Sequence, residues 1–232
     1  MITITNLRKT YNGINAVEID HLEIFPGEVI GLVGNNGAGK TTFFRLLLDL
    51  IRSNEGEVLS KGNNVTKTEE WKSYTAAYID ESFLIDYLTP EEYFYFVGKL
   101  NRQSKADIDE FLNGYTAFFG DAILNKGKYI RDFSKGNQFK IGIVAALINN
   151  PELLILDEPF ANLDPTTQLR LVDMIKAMAV DKRMCIIVSS HDINHISEVS
   201  NRILLMEKGK IIKDIGGGET AYEELVDYFK VR

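Results

Sequence analysis

The segment Gly34-Asn35-Asn36-Gly37-Ala38-Gly39-Lys40-Thr41-Thr42 constrains this chain more than any other. It sets a glycine, four residues and then Gly-Lys-Thr behind the apolar run Val29-Ile30-Gly31-Leu32-Val33. A helical pattern with Phe43, Phe44, Leu46, Leu47 and Leu50 follows it. A strand that turns through glycines into a helix start aims several backbone N–H groups at one point, which suits a polyphosphate. In that arrangement Lys40 reaches the terminal phosphates and the Thr41 hydroxyl ligates Mg²⁺. A chance glycine-rich turn would need neither the strand before nor the helix after.

The 232 residues suffice for one domain, or for a domain with an inserted subdomain. A chain of that size buries roughly 70–75% of its unfolded surface, enough for its own core. With 45% hydrophobic and 25% charged residues, the composition is that of a globular protein. No apolar run approaches the roughly 20 residues that span a bilayer. Met1-Ile2-Thr3-Ile4-Thr5 alternates like a strand and lacks a signal-peptide layout. A cytosolic protein is expected, held at a membrane only through a partner. Cys185, the single cysteine, sits in the run Met184 to Val188 and reads as a buried, inert thiol. The net charge of −7 argues against nucleic acid as a partner, because duplex binding favours basic surfaces. Polyphosphate is also anionic, but charges beyond roughly 8 Å are screened at physiological salt, so the local nest and Lys40 decide its binding.

Residues 2–6, 15–25, 28–33, 56–60 and 75–79 read as strands, with turns at Pro26-Gly27 and Lys61-Gly62. Thr89-Pro90-Glu91-Glu92 opens a helix with a cap, a first-turn proline and a carboxylate at the third position. Tyr93, Phe96, Val97 and Leu100 continue it at helical spacing, and a second helix is expected over about 105–118. Beyond this insert the chain alternates: strand 152–157, helix 165–180, strand 183–189, helix 192–200. Residues 202–207 and 210–215 read as a hairpin. Gly216-Gly217-Gly218 is a break before an amphipathic helix with Tyr222, Leu225, Val226 and Phe229. Strands alternating with helices predict an open parallel sheet covered on both faces.

Four of these strands end in polar or glycine residues: at Gly34, at Asp80-Glu81, at Asp157-Glu158-Pro159 and at Ser189-Ser190-His191-Asp192. In a parallel sheet such ends share one edge, where α/β proteins place ligands. Phosphoryl transfer then assigns the roles. Asp157 holds Mg²⁺, and Glu158 accepts a proton from the attacking water or orients it. His191 contacts the terminal phosphate and holds that water with Glu158. His191 and His195 also stand at the spacing of a zinc-protease helix, but Asp192 replaces the required glutamate and no third ligand is apparent.

Taken together, these motifs resemble the nucleotide-binding subunit of an ATP-binding-cassette (ABC) transporter over nearly the whole chain. Phe133-Ser134-Lys135-Gly136-Asn137 occupies the place of that family's Leu-Ser-Gly-Gly-Gln signature; Ser134 and Gly136 match, whereas Lys135 and Asn137 depart. Ala161-Asn162-Leu163-Asp164 resembles the loop after the catalytic glutamate, and His191 the switch histidine. The resemblance implies an α/β P-loop NTPase (RecA-like) core with a mainly parallel sheet, an N-terminal antiparallel β subdomain and an inserted α-helical subdomain. It implies one ATPase domain over 1–232, in which 1–80 and 150–232 form the core and 81–149 the helical part carrying the signature.

It further implies that ATP with Mg²⁺ is bound by Gly34, Asn35, Asn36, Gly37, Ala38, Gly39, Lys40, Thr41 and Thr42. Tyr11 lies where the family stacks an aromatic ring on adenine. Ser134, Gly136 and Asn137, at an anion-attracting helix start, are expected to complete the ATP site of a second copy or a homologous ATPase subunit packed head to tail. Glu81 stands where a glutamine usually ligates Mg²⁺ with Thr41 and Asp157; the register leaves Asp80 open for that place. An integral membrane transporter subunit is the implied partner, met by Tyr87 and by exposed aromatics among Tyr93, Phe94, Tyr95 and Phe96. The expected function is ATP hydrolysis that drives solute movement, with an export lean from the Ser-Lys-Gly form and the lack of a large C-terminal regulatory domain. The rival is an ABC ATPase of a soluble assembly such as cofactor or iron–sulfur cluster biogenesis. Asn125-Lys126-Gly127-Lys128 superficially resembles a guanine-reading motif but carries Lys128 where aspartate belongs.

Overall fold

The structure, a computed structural model, describes residues 1–161, 163–180 and 184–230, without the side chains of 219–221. Its strands are β1 (Ile2–Tyr11), β2 (Ile14–Ile24), β3 (Val29–Val33), β4 (Glu55–Ser60), β5 (Asn63–Asn64), β6 (Thr75–Tyr78), β7 (Leu153–Leu156), β8 (Cys185–Ser190), β9 (Arg202–Glu207) and β10 (Lys210–Gly216). Its α-helices are α1 (Lys40–Leu47), α2 (Pro90–Leu100), α3 (Lys105–Asn113), α4 (Thr116–Phe119), α5 (Lys135–Leu147), α6 (Pro165–Ala179), α7 (Ile193–Val199) and α8 (Glu219–Lys230).

A six-stranded sheet in the order β10-β9-β3-β8-β7-β6 carries the phosphate loop. All its neighbours pair in parallel except the β9–β10 hairpin. The central strands are apolar at nearly every position because both faces are covered. Alternation then sorts their side chains. Ile30, Leu32, Leu153, Ile155, Cys185, Ile187, Leu204 and Met206 face one core, with Phe43, Phe44, Leu46 and Leu47 of α1. Val29, Val33, Leu154, Leu156, Ile186, Val188, Ile203 and Leu205 face the other, with residues of α5, α6 and α7. The first core is closed by a four-stranded sheet, β2-β1-β4-β5, whose pairings are antiparallel. Burial pushes the Cys185 thiol up to about 12, so it stays protonated and unreactive, as its apolar setting predicts.

Most elements match their expected bounds to within a residue at each end, and three depart further. Strand 2–6 extends to Tyr11, because β1 pairs with β2 up to Tyr11↔Ile14 across the turn Asn12-Gly13. Both turn residues have positive φ, 49° and 79°, which suits a two-residue hairpin of the right twist. The helix over 105–118 breaks at Gly114-Tyr115: α3 buries Ile108 and Leu112, and the short α4 buries Phe118 and Phe119. Strand 183–189 runs instead from Cys185 to Ser190, and Arg183 lies outside the described residues. In the terminal helix Leu225 is fully buried, whereas Tyr222 is exposed.

Helix α7 crosses β3 at Gly31. A Cβ there would lie 2.1 Å from Ile196 Cγ2 and 2.7 Å from Ser200 Oγ. Gly31→Ala is expected to destabilise the fold by about 1–3 kcal/mol, the usual cost of overpacking. A urea midpoint for Gly31→Ala equal to that of the parent would contradict this packing.

Candidate active site

Neighbouring strands of the parallel sheet deliver the site residues to one edge. β3 and β8 end side by side at Val33↔Ser190, and β7 lies between β8 and β6. The chain leaves β3 through the glycine loop into α1. Gly39 caps that helix with φ 110°, and a Cβ there would stand 2.4 Å from the Ala16 carbonyl oxygen. A side chain at Gly39 therefore meets both backbone strain and a clash. The loop's carbonyls turn into the protein: Asn35 O accepts the Ala38 N–H (3.0 Å) and Ala38 O accepts the Gly209 N–H (2.8 Å). The N–H groups of the first turn of α1 have no carbonyl ahead of them, as at any helix start. Asn36, Gly37, Ala38, Gly39, Lys40, Thr41 and Thr42 line a cleft of about 240 Å³ that Ala16 and Glu158 complete.

Two chains of contacts cross this cleft. In the first, the Thr41 hydroxyl donates to Asp157 Oδ2 (2.5 Å), and the Ser189 hydroxyl donates to Asp157 Oδ1 (2.5 Å). Asp157 is 7% exposed. Burial raises its carboxyl above the usual range, while the two hydroxyls act in the opposite direction. In the second, Lys40 Nζ donates to Gly34 O (2.6 Å) and lies 3.0 Å from Glu158 Oε1. Glu158 Oε2 in turn lies 2.8 Å from His191 Nδ1. Glu158 has φ 46°, a left-handed conformation that costs a non-glycine residue about 1–2 kcal/mol. Its N–H donates to Ser189 Oγ (2.8 Å), which together with Lys40 and His191 holds it there. Such strain gathers where the surroundings over-determine a functional residue.

Ser189 carries no motif of its own in the sequence. The available signal is a pair of serines closing an apolar strand: both are buried, so their hydroxyls require partners.

The other expected residues stand further out. Tyr11 ends β1 with its ring 47% exposed and Lys9 Nζ 5.0 Å from the centroid; it does not line the cleft. Glu81 is exposed and pairs with Lys135, and that contact holds its carboxyl below the usual range. Asp80 lies 3.7 Å from Arg45 on α1 and accepts the Ser82 N–H (2.8 Å). Ser134 caps α5 by accepting the Asn137 N–H (3.3 Å), and Gly136 follows in the first turn. Ser134, Gly136 and Asn137 do not line the cleft of their own chain. Asn162 lies outside the described residues, and Asp164 caps α6 by accepting the Thr167 N–H (3.1 Å). His195 turns away from His191 and stacks on Phe160 at 4.5 Å. Among the described residues no group of three or more His, Cys, Asp or Glu is placed to hold a metal.

A glycine phosphate loop at the ligand edge of a mainly parallel sheet, faced by an acidic strand end, defines a P-loop NTPase. Residues 17–161 match the ABC transporter family. The chain belongs to that family, as a nucleotide-binding subunit. It is 32% identical over 90% of its length to the uncharacterised ABC transporter ATP-binding protein YhaQ of Bacillus subtilis, of which it covers 69%. It is 31% identical over 93% of its length to the bacitracin transport ATP-binding protein BcrA of Bacillus licheniformis, again covering 69% of that protein. Its fold resembles the ATP-binding cassette MJ0796, solved as a dimer in a post-hydrolysis state with ADP and Pi. The TM-score is 0.81 at 23% identity, over 93% of this chain and 98% of that one.

Proposed function

We propose that this chain is the ATP-hydrolysing subunit of a membrane transporter, in which two cassettes close head to tail over ATP. The observation that carries the reading is the pair of contact chains, Thr41–Asp157–Ser189 and Lys40–Glu158–His191, across one glycine-lined cleft. Lys40 and the loop from Gly34 to Thr42 hold the polyphosphate. Thr41 and Asp157 offer the hard oxygens that Mg²⁺ prefers, with Glu81 as a further oxygen ligand. When bound, Mg²⁺ neutralises charge on the transferred phosphoryl oxygens. Glu158 orients the attacking water and takes up its proton, and His191 steadies the Glu158 carboxylate and contacts the terminal phosphate.

The glycine-lined cleft takes the phosphates, and the remainder of the nucleotide lies between subunits, with Tyr11 against the base and the partner's signature helix start over the phosphates. Ser134, Gly136 and Asn137 suit that role because they do not line the cleft of their own chain.

Residues 81–149 are the proposed partner-facing part. There the structure separates the aromatics. Phe94 is fully buried, and the Tyr95 hydroxyl donates to Asp109 (2.6 Å), so both belong to the helical packing. Phe83, Tyr87 and Phe96 are exposed by 52%, 62% and 43% and are free to meet an integral membrane subunit. Among the described residues no helix is long and apolar enough to cross a membrane. The proposed location is the cytoplasmic face of the cell membrane, through that partner. Export is the proposed direction, on the Lys135 form of the signature.

Tyr87→Ala is expected to leave the ATPase rate of the isolated subunit within about twofold, as for a surface change away from the site. It should abolish transport in the assembled complex. Transport at the parental rate would remove Tyr87 from the interface. Recovery of the chain with an integral membrane protein supports the transporter reading, and recovery with soluble partners alone contradicts it.

A further inference from the structure

The start of α7 meets the chain after β7 at two places. On one side of the Asp192 cap, His191 Nδ1 lies 2.8 Å from Glu158 Oε2. On the other, the His195 ring stacks on Phe160, with centroids 4.5 Å apart and planes 10° from parallel. Nδ1 of His195 is buried without a hydrogen-bond partner, 3.4 Å from Asp192 Oδ2. The ring is therefore placed by its face, against a phenyl side chain that is 4% exposed.

Phe160 belongs to the turn that carries Glu158. The Ala161 N–H donates to Glu158 O (3.1 Å), and Gln168 Nε2 donates to Phe160 O (3.0 Å). Glu158 sits in this turn at φ 46°, a conformation that persists only while its surroundings oppose relaxation. Two of the groups that hold its carboxylate, Lys40 and His191, are also wanted by the phosphates. Neither Phe160 nor His195 lines the cleft, so their stack has no phosphate to compete with.

We propose that His195 is a positioning residue for hydrolysis: by stacking on Phe160 it keeps the Glu158 turn in register with the His191 end of α7 while Lys40 and His191 serve the phosphates. The inference rests on the ATPase reading above. It gives the second histidine of α7 a role through the face of its ring, with no proton transferred.

The test is steady-state phosphate release by the purified chain over a range of ATP concentrations, beside a thermal melt. His195→Ala is expected to lower kcat about two- to tenfold, the range of one aromatic pair. KM for ATP should stay within about twofold of the parent, because the lost contact serves the transition state and not binding. His195→Phe keeps a stacking ring without the nitrogens and should restore kcat to within about twofold of the parent, with an unchanged pH profile. Phe160→Leu should match His195→Ala, and the two together should cost no more than either alone, since both remove one contact. His195→Leu replaces His195→Ala if the latter does not fold. A parental kcat in His195→Ala, whether or not KM rises, overturns the inference. So does a His195→Phe variant as slow as His195→Ala, which would give the role to a ring nitrogen, and so does a fully additive loss in the double variant. A parental chain that releases no phosphate overturns the ATPase reading itself, and the inference with it.

Discussion

Glu158→Gln is expected to cut the ATPase turnover by about 10²–10⁴-fold, the usual contribution of a positioned general base. The substitution keeps the shape of the side chain and removes its charge. Lys40 then loses the carboxylate that lies 3.0 Å from its Nζ, and becomes fully available to phosphate. Nucleotide affinity should therefore hold or rise while turnover falls. On the proposed function, the variant should then accumulate in an ATP-bound, dimeric form. Steady-state phosphate release and light scattering with ATP and Mg²⁺ read both effects. Turnover within a few-fold of the parent, with no shift in mass, would show a nucleotide-gated binding module in which Glu158 does no chemistry.

Lys40→Ala is expected to weaken nucleotide binding about 10- to 100-fold, the loss of one or two hydrogen bonds to a charged group. The effect on folding should be small by comparison. Lys40 Nζ is buried with Gly34 O and Glu158 as partners, but Glu158 keeps His191 at 2.8 Å when Lys40 is gone. Isothermal titration with ATP, beside a thermal melt, separates the two. Unaltered affinity in a variant that melts like the parent would remove Lys40 from the phosphate site.

Much of this site is legible in the amino-acid sequence, for a local reason. The glycine loop, the apolar strand before Asp157 and the polar end of β8 are each contiguous signals, and parallel pairing brings them to one edge. The alternation that divides β3, β7, β8 and β9 between two cores can likewise be read along each strand. Asn12-Gly13 is a readable hairpin turn, and a strand that stops at residue 6 leaves it unused. Gly114 marks the break between α3 and α4. Other features carry no local signal. The pairing of Glu81 with Lys135 spans 54 residues and depends on where α5 is set beside the end of β6. The role of Ser189 depends on β8 lying next to β7, which brings its hydroxyl to Asp157 and to the Glu158 N–H. The burial of Phe94, between exposed or half-buried aromatic neighbours, follows from the way α2 faces α3 and α4; its ring lies 5.7 Å from that of Phe119.

The central claim is that triphosphate binds between two copies of this fold. A crystal structure of Glu158→Gln with ATP and Mg²⁺ tests it most directly. We predict a head-to-tail dimer in which Ser134 and the backbone of Gly136 from one subunit contact the γ-phosphate held by Lys40 of the other. ATP seated on the glycine loop with residues 133–137 of both subunits far from every phosphate would contradict the account.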